Sequence, residues 1–114
     1  MRRYCILQQV NPEFLEEYKE AHAAVWPEML RALKDSGWHN YSLFLRHDGL
    51  LIGYVESPDL EAAQEAMGAT EVNARWQAAM SKYFVNTDTN PDEAFVQVEE
   101  VFNLEDQLAR APQE

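Results

Sequence analysis

Four side chains in this sequence carry chemistry that a small hydrophobic core seldom needs: Tyr18, His22, Tyr41 and Trp76. Tyr18 and His22 are four apart, so a helix through them stacks a phenol and an imidazole on one face. Each of the four has a plain explanation as a core residue, satisfied by a backbone carbonyl or simply packed. Their coincidence on inward positions suits a different purpose. A pyranose has apolar C–H patches that stack on rings and hydroxyls that need directional partners, and this set supplies both. The imidazole adds proton transfer near neutral pH, because an ordinary pKa of about 6.5 keeps both of its forms within reach.

Other chemistry-bearing residues fit less well. His47 lies beside Asp48-Gly49 in turn chemistry and is expected in solvent, and the facing of His39 at a strand start depends on register. Glu13, Glu16, Glu17 and Glu20 form a solvated helix face, with Glu13 and Glu16 at the favourable end of the helix dipole. There is no Gly-rich phosphate loop, HExxH pair or serine nucleophile elbow, and the spacing of the four glycines fits no dinucleotide fingerprint. Cys5 is the single cysteine, so one chain makes no disulfide and no multi-cysteine metal site, which fits a reducing cytoplasm. The expectation is a site that uses neither metal nor organic cofactor.

Composition bounds the rest. The 114 residues, 46% hydrophobic and 25% charged, suit one folded domain with one core. The formal charge of −11 argues against nucleic acid or an acidic membrane surface as partner, and no apolar run approaches the ~20 residues of a membrane span. From Phe84 onward there are eight acidic residues and one basic, so much of the imbalance lies in the last loop, strand and tail. A neutral sugar asks for no such charge, and its expected use is to keep the protein in solution.

The elements that must position the four side chains can be read from periodicity. Arg3 to Val10 is expected as a strand, closed by Asn11-Pro12, which also starts a helix by capping. Phe14, Tyr18, His22 and Val25 share the face of that helix, with Leu15 and Trp26 beside it, and Pro27 predicts a break before a second stretch that stops at Gly37. Trp38 to Arg46 alternates as a strand with His39, Tyr41, Leu43 and Leu45 on one face and Trp38, Asn40, Ser42 and Phe44 on the other. A hairpin at His47-Asp48-Gly49 leads into a strand from Leu50 to Glu56. A short helix ends at Met67 with Gly68 closing it, and a helix capped by Thr70 turns Val72, Trp76, Ala79, Met80 and Tyr83 inward. Val85 to Glu93 reads as loop, Ala94 to Phe102 as the fourth strand, and the remainder as a loosely held tail.

The order βαββαβ points to an α+β, ferredoxin-like layer of helices on a four-stranded antiparallel sheet, one domain over residues 1–104 with a tail at 105–114. Helices on one face leave the other uncovered. Two such sheets paired across a two-fold axis, a dimeric α/β barrel, solve that problem, so a homodimer is expected.

Taken in order, Gln9-Val10-Asn11-Pro12, Glu17-Tyr18, His22, Trp26-Pro27-Glu28, Gly37, His39-Asn40-Tyr41, Arg75-Trp76 and Glu100-Val101-Phe102 resemble the L-rhamnose mutarotase family. The resemblance runs from about Arg3 to Leu104. It implies a cytoplasmic homodimer of ferredoxin-like subunits that interconverts the α and β anomers of L-rhamnose without a cofactor. It also implies that His22 is the proton donor and that Tyr18, Tyr41 and Trp76 bind the sugar. Where the family often has a second tryptophan this chain has Gln77, an amide that hydrogen-bonds a hydroxyl where an indole would stack, so Gln77 joins the expected substrate-binding set.

Opening a pyranose needs a proton delivered to the ring oxygen while the C1 hydroxyl loses one, and closure on the other carbonyl face inverts C1. On this reading His22 is the acid toward the ring oxygen, with Tyr18 or Tyr41 positioning the ring. Two alternatives share the architecture: a cofactor-independent monooxygenase acting on phenols, by fold analogy, and a non-catalytic monosaccharide-binding domain.

Overall fold

The computed structural model describes residues 1–85 and 96–111. Its elements run β1 (Arg2–Gln9), a 3-10 turn (Pro12–Phe14), α1 (Leu15–Ala23), α2 (Pro27–Ser36), β2 (His39–Leu45), β3 (Leu50–Ser57), α3 (Leu60–Gly68), α4 (Glu71–Met80), a second 3-10 turn (Ser81–Tyr83), β4 (Val96–Val98) and α5 (Leu104–Arg110). Each helical interval between strands is thus divided in two. Asn11 caps the first turn by accepting from the Glu13 amide, and the expected break falls at Trp26, which adopts φ −53°, ψ 131° ahead of Pro27. Gly37, at φ +106°, ends α2 in the left-handed conformation that glycine tolerates best. Asp59 and Thr70 cap α3 and α4 in the same way as Asn11. Gly68, expected to close α3, is its last helical residue, and Ala69 follows it in right-handed conformation.

The sheet has the order β2-β3-β1-β4, with every neighbouring pair antiparallel. Along β3, Leu51, Gly53, Val55 and Ser57 are buried and the residues between them half-exposed, the period of two that marks a sheet with one covered face. The covered face meets Tyr18, Met29, Leu60, Ala63, Met67, Val72, Trp76 and Met80 from the helices in one apolar cluster. Burying side chains of this size is worth about 1.5–3 kcal/mol each, which is what holds the helical layer down. Gly53 is needed where it stands: a Cβ there would come within 2.7 Å of Ile6 Cγ1.

Strand β2 departs from strict alternation. His39 pairs with Glu56 but Ser42 with Tyr54, so three steps on β2 oppose two on β3, a bulge. Asn40, inside it, has φ +46°, a conformation that asparagine adopts more readily than most residues. The bulge corrects the expected facing: Trp38 and Tyr41, assigned to opposite faces by alternation, lie on the same side with ring centroids 4.9 Å apart. His39 stands opposite Glu56, on the face away from the core.

The C-terminal part differs more. The fourth strand spans Val96–Val98 where Ala94 to Phe102 was expected; beyond Val98 the chain leaves the ladder, and Glu100 is taken by the Arg3 guanidinium at 2.8 Å. Ala94, Phe95 and the loop expected over Val85 to Glu93, apart from Val85 itself, lie outside the described residues. The expected loose tail is helical through Arg110, capped by Asn103 and tied back by an ion pair between Arg3 and Asp106.

Candidate active site

Between the covered face of the sheet and the helices is a cavity of about 480 Å³, within the range of sites for small organic ligands. Tyr18, His22, Tyr41, Trp76 and Gln77 all line it. The five expected residues, drawn from three elements, thus line one cavity. His39 is not among the lining residues, His47 is exposed in the hairpin, and Glu13, Glu16, Glu17 and Glu20 are exposed along α1 and the turn before it.

One side of the cavity is aromatic. Tyr18 and His22 stack with centroids 4.2 Å apart and planes 28° apart, the arrangement their spacing of four requires. Trp76 meets the His22 ring edge-on at 5.3 Å and 85°. Tyr18 in turn is braced edge-on by Tyr83 and Phe84, at 6.3 and 5.8 Å. Such pairs favour defined angles because the ring edge is positive and its face negative. The imidazole is thus held on two sides while one edge faces the cavity.

Amides also line the cavity. Gln77 donates from Nε2 to Asn73 Oδ1 at 3.1 Å, and Gln8 and Gln64 also line the wall. Asn73 is buried, and it was overlooked in the sequence although it lies one turn before Gln77 on α4 and so shares its face. Trp38 was missed for a different reason: only the bulge brings it to this side.

His22 sits in the last turn of α1 with Nδ1 3.0 Å from the Tyr18 carbonyl oxygen. A carbonyl only accepts, so Nδ1 carries the proton of the neutral ring and Nε2 presents its lone pair. Burial pushes the imidazole below its usual 6.5, outweighing the Tyr18 carbonyl bond, which favours the charged form. His22 is therefore neutral at pH 7. Burial also raises both phenols, Tyr18 with a further contribution from nearby Tyr41, and Tyr41 itself up to about 12. Both remain neutral hydroxyls throughout the working range. Lys34 is the one charged side chain among the described lining residues, and no carboxylate lines the cavity there. Among the described residues no three His, Cys, Asp or Glu side chains gather to hold a metal.

A neutral imidazole whose Nε2 lone pair is not engaged by the Tyr18 carbonyl, uncharged hydroxyl donors, aromatic rings and amides are a set whose chemistry suits an uncharged, hydroxylated ligand. The comparisons agree with that chemistry. A family model described as L-rhamnose mutarotase matches residues 3–104. An L-rhamnose mutarotase of Klebsiella pneumoniae is 37% identical over 91% of this chain and 99% of its own, and one of Bacillus subtilis is 38% identical over 92% and 100%. Among solved structures, an L-rhamnose mutarotase from Formosa agariphila superposes with a TM-score of 0.73 at 26% identity, covering 91% of this chain and 99% of that one. An antibiotic biosynthesis monooxygenase superposes at 0.57 with 17% identity over 89% of this chain and 99% of that one, a likeness of fold alone.

Proposed function

The chain belongs to the L-rhamnose mutarotase family, and from that premise we propose that it interconverts the α and β anomers of L-rhamnose, or of a related deoxyhexose, by acid–base opening and closing of the ring. The observation that carries the reading is His22: neutral, oriented by the Tyr18 carbonyl, and held between the stacked Tyr18 ring and the edge-on Trp76 ring on the wall of a cavity of suitable size.

In the chemistry we assign to it, His22 is the proton-transfer group. Because the resting ring is neutral, Nε2 takes the proton of the C1 hydroxyl as the C1–ring-oxygen bond breaks and, as an imidazolium, hands it to the departing ring oxygen; closure runs the same transfer in reverse, from the C5 hydroxyl to the new C1 oxygen. The donor role that the resemblance implies is the transfer from this imidazolium to the ring oxygen. Rotation about the C1–C2 bond of the open aldehyde presents its other face, and closure then gives the other anomer. Trp76 stacks on the C–H face of the ring. Tyr18 and Tyr41 hold hydroxyl oxygens by donation, and Gln77, oriented by Asn73, binds a further hydroxyl. No net proton is gained or lost in a cycle, so no cofactor is called for.

We further read the subunit as ferredoxin-like and as half of a homodimer closed through the uncovered sheet face. Phe44, Val96 and Val98 are exposed there, and Leu7 and Ile52 are half-exposed beside them. Sedimentation equilibrium reads that assembly directly. The unpaired Cys5 suits a cytoplasmic setting, where thiols stay reduced.

Saturation-difference proton NMR of L-rhamnose tests the activity. Irradiating the H1 resonance of one anomer should diminish the other in proportion to protein concentration. Sugar binding with exchange at the uncatalysed rate would leave a binding domain instead. Oxygen uptake with phenols, read by an electrode, would favour the monooxygenase chemistry.

A further inference from the structure

Trp26 lies outside the cavity lining and is 38% exposed, far more than Trp76 or Trp38, yet it makes more directed contacts than a surface indole needs. It occupies the non-helical link between α1 and α2, where the following Pro27 holds its backbone extended. From there its ring meets Trp76 edge-on, with centroids 5.0 Å apart and planes 88° apart. Arg75, the residue before Trp76, places its guanidinium carbon 5.9 Å from the centre of the Trp26 ring. The same guanidinium reaches both oxygens of Glu28 in the first turn of α2, at 3.2 and 3.1 Å.

Two consecutive residues of α4 therefore hold the indole, Trp76 from the buried side and Arg75 from the solvent side, while Glu28 anchors Arg75 to the helix that Trp26 precedes. We propose that Trp26 is a positioning residue for the active site: clamped by Arg75 and Glu28, it fixes the Trp76 ring and, through it, the cover over His22. The inference rests on the assignment of Trp76 and His22 to the sugar site. Trp76 touches the cavity on one side and Trp26 on another, so its orientation is set by a contact that no sugar makes. The clamp also ties the α1–α2 link to α4 at a point where the chain between α1 and α2 is not helical, beyond the one backbone hydrogen bond that the Trp26 carbonyl accepts from the Leu30 amide.

The test compares Trp26→Ala, Trp26→Phe and Arg75→Gln with the parent in three readouts: the KM and kcat of anomer exchange, the His22 titration followed by NMR of its ring protons, and the thermal midpoint. Trp26→Ala is expected to raise KM about three- to tenfold, the worth of one aromatic pair with its cation, with a smaller change in kcat. It should also move the His22 pKa upward toward 6.5 as water reaches the ring. Trp26→Phe, which keeps a ring edge, should recover most of both. Arg75→Gln, at an exposed position where folding is not at stake, should move both in the same direction by a smaller amount.

An unchanged His22 titration in Trp26→Ala would overturn the proposal, as would Trp26→Phe behaving like Trp26→Ala. If Trp26→Ala does not fold, Arg75→Gln decides: a shifted titration supports the clamp and an unshifted one contradicts it. Because the titration requires no turnover, a parent that fails to exchange anomers would sink the proposed function while leaving this measurement readable.

Discussion

The two faces of the sheet treat ionisable groups in opposite ways. On the uncovered face, charges are matched. Arg3 is held charged first by Glu100 and then by Asp106, and the Glu56 carboxyl is lowered by hydrogen bonds from Asn40 and from the Tyr54 hydroxyl at 3.0 and 2.8 Å. On the covered face, His22, Tyr18 and Tyr41 are shifted first by burial, and no carboxylate stands beside them among the described residues. A partner that neutralises a group stabilises structure but removes the group from chemistry. Desolvation without a charged partner does the reverse, leaving the imidazole and the phenols neutral at the cavity wall, where such groups are candidates for chemistry.

Trp76→Ala should break the covered face most severely. It removes a buried indole that contacts both His22 and Trp26, at a cost of about 3–5 kcal/mol in denaturant unfolding and with weakened sugar binding by NMR titration. If this variant were as stable as the parent, the aromatic wall would not be the packed unit described above.

The pH dependence comes next in size and has a definite sign. The folded pKa of His22 is depressed, so its stability contribution is complete above the unfolded value of about 6.5 and is lost as pH falls through the folded one. Activity that begins with a neutral imidazole falls over the same acid range. For Tyr41 the folded pKa is raised to about 12, so its contribution is complete below about 10 and is lost as pH rises toward 12. Chemical denaturation from pH 5 to 11 should show both limbs, with Tyr41→Phe flattening the alkaline one.

The smallest effect belongs to the uncovered face. Glu56→Gln should leave anomer exchange unchanged and remove only a stabilising contribution that the parent has above about pH 4.5 and loses as pH falls, read as a slightly altered decline when the denaturation series is extended below pH 4.5. A drop in activity comparable to that of a cavity variant would mean that the division between the faces is wrong.

How far the sequence disclosed this arrangement varies by element. Where a local rule governs one element, it was readable: Asn11 and Thr70 as caps, Pro27 as a break, Gly37 as a stop, and Tyr18 with His22 as a stacked pair. Tyr18 and His22 on α1 and Trp76 and Met80 on α4 followed from the same periodicity, whereas Gln77 came from the family resemblance and Asn73 from neither. Strand β2 failed because a single left-handed Asn40 changes the facing of what precedes it, and alternation cannot register an inserted residue; the asparagine itself was the available signal. The C-terminal segment failed because its conformation depends on Arg3 reaching Glu100 and Asp106 across the length of the chain, a pairing with no local trace. Trp26 was placed beside the helix face by spacing, but its clamp between Trp76 and Arg75 arises only when α4 packs against the link.

The central claim is that His22 transfers protons to and from the sugar. Saturation-difference NMR of L-rhamnose at pH 7.5, with the parent and His22→Ala at equal concentration, tests it most directly. The account predicts exchange by the parent well above the uncatalysed rate, and a loss of about 10²–10⁴-fold in His22→Ala with its far-UV dichroism unchanged. A folded His22→Ala variant that exchanges the anomers as fast as the parent would contradict it.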